Sequence, residues 1–87
     1  MMAELKQLRG KIDDIDRDIL RFLAERTKIC EEIGSAKKIQ GLPVKDATRE
    51  AEVYKQVRER AVKLGLNPVQ VEAVYREIVN MCSSVQE

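Results

Sequence analysis

The chain has 87 residues with 16 Lys and Arg against 15 Asp and Glu, and it contains no histidine. We expect one domain over residues 1–87 that needs a partner chain, because so short a chain buries only a modest fraction of its surface. The missing histidine removes the most common general base and metal ligand, and we expect no metal or cofactor. The longest basic run is Lys37-Lys38, so nucleic acid is a weak candidate partner.

The first predicted element is a helix over residues ~3–40 that contains no proline. Gly41 is expected to close it, and Pro43 prevents its continuation. Steps of three and four residues along it define an apolar row typical of a helix packed on a partner. The members of this row are Leu5, Leu8, Ile12, Ile15, Ile19, Phe22, Arg26, Ile29, Ile33 and Ala36.

Two shorter helices follow a loop over residues ~41–46. The second helix is predicted over ~47–64, with Asp46 or Thr48 as its N-cap. The third is predicted over ~68–85, because Asn67-Pro68 combines a capping residue with a proline at the first helical position. No strand-like alternation competes, so the fold class is all-α.

The first helix is too long for a monomer. Its length of ~55 Å exceeds the ~30 Å diameter of a compact globule of this size. We therefore expect an intertwined homodimeric bundle in which two long helices pack antiparallel about a two-fold axis. A parallel coiled coil and a helix folded back at Gly34 are the alternatives.

Arg26 is charged but occupies a place in the apolar row. A guanidinium keeps its charge, and burying it without a partner is costly. The default interpretation is an ion pair with Glu50 or Glu25 within the protein. The other hypothesis is that Arg26 binds an anionic ligand.

Further polar residues lie on inward helix faces. Lys37 points to the same side as Arg26, ~16 Å along the helix. Glu50 precedes the apolar row of the second helix, and Gln86 continues that of the third. Taken one at a time, each has a simple interpretation: Lys37 as a solvated surface lysine, Glu50 as a charge at a helix N-terminus, and Gln86 as part of a frayed C-terminus. Together they leave surplus positive charge in an apolar bundle, which favours a bound anion with more than one carboxylate or phosphate.

Arg9 and Arg49 taken alone would be surface residues. Arg9 is ~42 Å from Lys37 along one helix, so no small ligand can touch both in one chain. If both serve one site, Arg9 comes from the other protomer and the long helices are antiparallel.

Cys30 and Cys82 lack metal-ligand or redox spacing. They are predicted to be small core residues in a reducing compartment. Neither a secretory signal nor a membrane-spanning run is present, so we expect a cytoplasmic protein.

The ordered set of motifs resembles the all-helical chorismate mutase family over essentially the whole chain. The matching stretches are Leu8-Arg9-Gly10-Lys11-Ile12-Asp13-Asp14-Ile15-Asp16, Leu23-Ala24-Glu25-Arg26, Ile33-Gly34-Ser35-Ala36-Lys37, Pro43-Val44-Lys45-Asp46, Arg49-Glu50, Ile78-Val79 and Gln86. The resemblance implies an intertwined three-helix homodimer with two sites, each using both chains. It also implies isomerisation of chorismate to prephenate, a Claisen rearrangement without a nucleophile or an obligatory proton transfer, in phenylalanine and tyrosine biosynthesis.

The resemblance assigns the catalytic roles to Lys37 and Gln86, as donors to the ether oxygen whose bond breaks. Arg26, with Arg9 of the second chain, would bind the substrate carboxylates. Arg49 would contact or orient the substrate.

Three further residues complete the implied substrate site. Glu50 would accept from the ring hydroxyl, and Asp46 would contribute through its backbone. Cys82 stands where many relatives have a carboxylate-binding serine, so this contact is in doubt because a thiol is a weak donor.

Two other functions stay open. An isochorismate-pyruvate lyase could use the same carboxylate clamp, although Glu50 favours the mutase because it can accept a hydroxyl. A non-enzymatic helical dimerisation or regulatory module would not need Lys37 or Arg26. The chain carries no fused dehydratase, dehydrogenase or synthase segment, so we expect a monofunctional protein unless it docks on another enzyme of aromatic synthesis.

Overall fold

The computed structural model describes the backbone of residues 2–87 and the side chains of residues 4–87; Met1, part of the predicted domain, lies outside them. Three helices follow one another: α1 (Met2–Gln40), α2 (Ala47–Lys63) and α3 (Pro68–Gln86). Residues 2–87 contain no strand, and the predicted all-α class is confirmed. The observed bounds lie within one residue of the predicted ones.

Glycines in the left-handed region end α1 and α2. At the end of α1, Gly41 has a φ of 69°, and the N–H of Leu42 donates to the carbonyl of Lys37 at 2.8 Å. This is a Schellman motif, which satisfies carbonyls that the helix leaves free. The same arrangement ends α2 at Gly65, with a φ of 74°.

Polar side chains cap the N-termini of α2 and α3. Of the two residues predicted as caps of α2, Asp46 has this role and Thr48 does not, because the Asp46 carboxylate accepts from the N–H of Arg49 at 3.0 Å. Asn67 caps α3 by accepting from two backbone N–H groups at 2.9 and 3.1 Å, and Pro68 follows at the first helical position. Both caps satisfy orphan donors of the first turn.

Helix α3 packs against both α1 and α2. The buried apolar side chains are few: Cys30, Ala61 and Val79. Between α2 and α3, the Glu72 carboxylate pairs with Arg58 of α2 and with Arg76 of α3 itself, the latter at 3.0 Å. Hydrogen bonds from these two guanidinium groups lower the pKa of Glu72 below its ordinary value.

The molecule is elongated, with extents of 59 × 24 × 15 Å and a radius of gyration of 16.5 Å. A compact chain of this length would have a radius of gyration of ~12 Å. Helix α1 continues through Gly34 without a break, so the predicted alternative of a helix folded back there is wrong. All side chains of residues 4–22 are exposed, because α1 extends beyond the two helices that could cover it.

None of the three helices, searched over the described residues, combines the length and the hydropathy that crossing a membrane requires.

Candidate active site

A cavity of about 420 Å³ lies between the C-terminal part of α1, the loop that follows, α2 and α3. Its volume falls in the range of small-molecule sites. Aliphatic side chains form much of its wall, namely Ile29, Ile33, Val44, Val53 and Val79. Seven of the eight site residues predicted from the sequence also line it: Arg26, Lys37, Asp46, Arg49, Glu50, Cys82 and Gln86.

Arg26 lines this cavity and is half-buried. It forms no ion pair with Glu25 or Glu50, whose side chains are both described. Its one side-chain hydrogen bond within residues 4–87 runs from Nη1 to the Cys30 sulfur at 3.8 Å, which does not neutralise its charge. The default ion-pair interpretation is therefore wrong, and the guanidinium is free to bind an anion.

Lys37 lies one turn before the end of α1 and is also half-buried. Its Nζ donates to the Val44 carbonyl at 2.6 Å and to Gln86 Oε1 at 2.7 Å. These two bonds connect α1 to the loop and to α3. An ammonium group has three N–H donors, so one remains for a ligand in the cavity.

Gln86 is buried, with 7% of its surface exposed. Because Oε1 accepts from Lys37, the NH₂ group is the part of the amide that remains to donate, and Nε2 lies 3.2 Å from the Cys82 sulfur. This assignment of oxygen and nitrogen follows from the partners. One N–H of Nε2 is left for a ligand, so the amide complements Lys37 as a second donor.

Cys30 and Cys82 form a disulfide, with Cα atoms 5.3 Å apart. The prediction of separate core thiols is therefore wrong, and with it falls the argument from these cysteines for a reducing compartment. A disulfide sulfur carries no proton. Cys82 consequently has no hydrogen to offer a carboxylate, and its sulfur instead accepts from Gln86.

The first turn of α2 supplies Asp46, Arg49 and Glu50 to the cavity wall. Asp46 uses its carboxylate as the helix cap. Arg49 is exposed and donates to Glu52 at 3.3 Å, a weak surface pair. Glu50 is half-buried and has no hydrogen-bonding partner among the side chains of residues 4–87, so its carboxylate can accept from a ligand.

Arg9 is not part of this cavity. It is exposed on the first turns of α1, ~42 Å from Lys37 along the helix. One chain therefore brings together every predicted site residue except Arg9.

Sequence reasoning missed three contributors: the Val44 carbonyl, the sulfur of Cys30 and the backbone of Gly34. Any residue supplies a carbonyl, so nothing in the sequence marks Val44. Cys30 had a signal, since Cys82 is the one other cysteine in the chain, but their separation of 52 residues hid the pairing. Gly34 enters the sequence predictions as a possible bend and as part of a family motif, and neither indicates a contact with α3.

Residues 8–87 match the family model of chorismate mutase type II, and the chain belongs to that family. It is 38% identical to a bifunctional chorismate mutase/prephenate dehydratase of Aquifex aeolicus, over 99% of this chain and 25% of that protein. It is 36% identical to a chorismate mutase of Methanocaldococcus jannaschii, over 68% of this chain and 60% of that protein.

The T-protein of Enterobacter agglomerans is 38% identical over 91% of this chain and 21% of its own length. The chain thus spans about a quarter or less of two of these relatives. Among solved structures, a conserved hypothetical protein from Pyrococcus furiosus superposes with a TM-score of 0.74 at 32% identity, covering 95% of both chains.

Proposed function

We propose that this protein is a chorismate mutase, which isomerises chorismate to prephenate on the route to phenylalanine and tyrosine. Family membership over residues 8–87 supports the proposal. The observation that carries it is the Lys37–Gln86 pair at 2.7 Å, beside an Arg26 that has no carboxylate partner among the described side chains. Two donors and a free guanidinium around one cavity suit an anionic substrate that develops negative charge on an oxygen.

The reaction needs little chemistry from the protein. A C–O bond breaks and a C–C bond forms in concert, so the enzyme must hold the substrate compactly and stabilise the ether oxygen as its bond lengthens. The third N–H of Lys37 and the free N–H of Gln86 are the donors that we assign to that oxygen. Their hydrogen bonds to the protein fix both groups before the substrate arrives, which lowers the cost of reorganisation.

The remaining charged groups bind the substrate. Arg26 would hold one carboxylate through its planar fork, which fits a carboxylate better than an ammonium does. Arg9 of a second chain would hold the other, and Arg49 would contact or orient the substrate. Glu50 would accept from the ring hydroxyl, with the backbone of Asp46 nearby.

A second copy of the chain is part of this proposal. The accessible surface is 7250 Å², whereas a compact protein of this mass exposes ~5200 Å². The excess of ~2000 Å² per chain matches a large obligate interface. Antiparallel packing of two α1 helices would cover the bare apolar row and would bring Arg9 of one chain towards Lys37 of the other.

The test is loss of chorismate and formation of prephenate by the purified protein, with Lys37→Ala beside Lys38→Ala. Lys38 is the matched control, because it is the next residue of α1 but is exposed and outside the cavity. Lys37→Ala is expected to lower kcat/KM by ~10²–10³, the usual loss for one donor to a developing oxyanion. Lys38→Ala should keep wild-type activity.

Two results would overturn the proposal. Salicylate and pyruvate from isochorismate, with no prephenate from chorismate, would establish the lyase instead. Equal function of Lys37→Ala and Lys38→Ala would favour a dimerisation module without catalysis.

A further inference from the structure

The end of α3 lies unusually close to α1 at Gly34. A Cβ built on Gly34 would stand 2.7 Å from the Cα and 3.1 Å from the carbonyl oxygen of Gln86. These are mainly backbone atoms of α3, which cannot rotate away as a side chain can. Only glycine therefore permits the observed distance between the two helices at this point.

One helical turn earlier, a covalent bond joins the same two helices. The Cys30–Cys82 disulfide precedes the Gly34–Gln86 contact by four residues in α1 and by four residues in α3. Four residues return a helix to nearly the same direction, so the disulfide and the glycine contact lie on one line of contact between parallel helices.

The glycine contact reaches Gln86, the residue that Lys37 binds, directly, and the disulfide reaches it through the Cys82 sulfur. Gln86 has its backbone against Gly34, its Nε2 against the Cys82 sulfur and its Oε1 on Lys37. Gln86 is in the last turn of α3, and last turns open readily because their backbone carbonyls lack partners in the helix. The disulfide and the close approach at Gly34 oppose that opening.

We propose that Gly34 and the Cys30–Cys82 disulfide are positioning elements that hold Gln86 on Lys37, so that catalysis depends on the redox state of this cysteine pair. The inference rests on the proposed mutase function. A shift of ~1 Å in a catalytic group can cost up to ~10²-fold in rate. Loosening either element should therefore lower kcat, because the donors to the reacting oxygen are displaced, whereas Arg26 and the Cys30 sulfur that it contacts both belong to α1.

The redox step needs an external dithiol reductant. A reductant thiolate attacks one Sγ, the Cys30–Cys82 bond breaks, and the other cysteine leaves as a thiolate that takes a proton. The second reductant thiol then displaces the first cysteine and closes a cyclic disulfide. Two electrons pass from the dithiol to the protein, which gains two thiols.

The first experiment compares oxidised and dithiothreitol-reduced wild-type protein, with thiols counted by a colorimetric disulfide reagent. We expect no free thiols before reduction, two after it, and a fall in kcat of about tenfold with little change in KM. A Cys30→Ala/Cys82→Ala variant should be insensitive to the reductant. Two thiols in the air-oxidised protein, or equal kcat in both states, would overturn the role of the disulfide.

The second experiment compares Gly34→Ala with Gly10→Ala. Gly10 is a matched helical glycine of α1, and a Cβ there meets no atom within 4 Å. Gly34→Ala should lower kcat by about tenfold to a hundredfold, whereas Gly10→Ala should leave it unchanged. Equal kcat for the two variants would remove Gly34 from the proposal.

A Gln86→Ala background separates positioning from general destabilisation. If both elements act through Gln86, neither reduction nor Gly34→Ala should lower the remaining kcat further in that background. A further loss of the same size would show a structural role instead. Reduction changes no residue, so it tests the role of the disulfide even if Gly34→Ala does not fold. An oxidised wild type without mutase activity would refute the proposed function, whereas an active protein indifferent to both changes would refute this inference alone.

Discussion

The two halves of α1 have the same amphipathic pattern but opposite surroundings. From Glu4 to Phe22 every side chain is exposed, including row members such as Ile12 at 57% and Ile19 at 51%. Beyond Phe22, Cys30 and Gly34 are buried against α3, and the cavity opens there. The first half offers an apolar surface without a site. The second half holds most of the proposed site, and the remaining cation that we propose for it, Arg9, is at the opposite end of the helix.

Within the C-terminal half of α1, the residues that face the cavity and α3 lie on one stripe of the helix, and exposed apolar residues lie on the next stripe. Arg26, Cys30, Gly34 and Lys37 follow one another at steps of four, four and three residues, which places them on one stripe of α1. That stripe meets α3 of its own chain. The adjacent stripe with Ile29 and Ile33 stays 55% and 42% exposed, so it continues the surface available to a second copy.

The largest expected effect comes from introducing a charged side chain into the apolar row of the exposed half of α1, residues 4–22. Ile19→Asp would bury a carboxylate in the proposed α1–α1 interface, at a cost of more than about 4 kcal/mol. We expect loss of the dimer and of cooperative unfolding, measured by sedimentation and by urea denaturation at several protein concentrations. Arg17→Asp is the control, since it places the same group two residues away on the opposite face. Equal behaviour of the two variants would contradict an interface along the row.

The second prediction connects the two halves. Arg9→Ala and Lys37→Ala chains should each be nearly inactive, but mixing them by unfolding and refolding should restore about one quarter of wild-type activity. Half of the randomly formed dimers are mixed, and each has one site with both residues intact. The activity of the mixture against its parents is the measurement. No gain on mixing would mean that Arg9 and Lys37 do not serve one site from two chains.

The third prediction concerns Gln86, the residue of α3 that meets the C-terminal half of α1. An amide donates at any pH, so wild-type kcat should show no loss from this position between mildly acidic and alkaline pH. In Gln86→Glu the carboxyl donates only when protonated, with an ordinary pKa of ~4.3. Its kcat should therefore be highest in acid and fall roughly tenfold to a hundredfold by neutral pH. A wild-type loss with an apparent pKa near ~5 would count against the assigned role of Gln86.

The smallest expected effect is on stability, away from the cavity. Arg58 and Arg76 lower the pKa of Glu72 in the folded protein, so their stabilisation is complete above the ordinary pKa of a glutamate and is lost as the pH falls through the lowered value. Glu72→Gln should unfold at lower urea concentration than wild type at neutral pH, and the difference should shrink in acid and in high salt. Glu77→Gln, on the exposed side of α3, is the control and should show no such dependence.

Much of the fold could be predicted from local signals. Gly41, Gly65 and Asn67-Pro68 mark helix ends through backbone rules that act within a few residues, so the helices were found within one residue of their ends. The choice of Asp46 over Thr48 as a cap needed the structure, because both can accept from the backbone.

The site was predictable only where a residue broke a pattern. Arg26 and Lys37 were found because charges on an inward face require an explanation. The disulfide, the Val44 carbonyl and the tight contact at Gly34 depend on which surfaces of α1 and α3 meet, and helix periodicity does not determine that. The ion pair expected for Arg26 failed for the same reason, since Glu50 lies on the wall of the same cavity without meeting it.

The unbroken course of α1 through residues 2–40 also limits how its length can change. In an antiparallel pair of such helices, the spacing between Arg9 and Lys37 sets the register at both ends of the assembly. One residue inserted between them would rotate Arg9 by ~100° and move it by ~1.5 Å, which would remove it from both sites of the proposed dimer at once. The exposed turn at residues 64–67 has no such constraint. Insertions should accordingly be tolerated there and fatal to catalysis within α1.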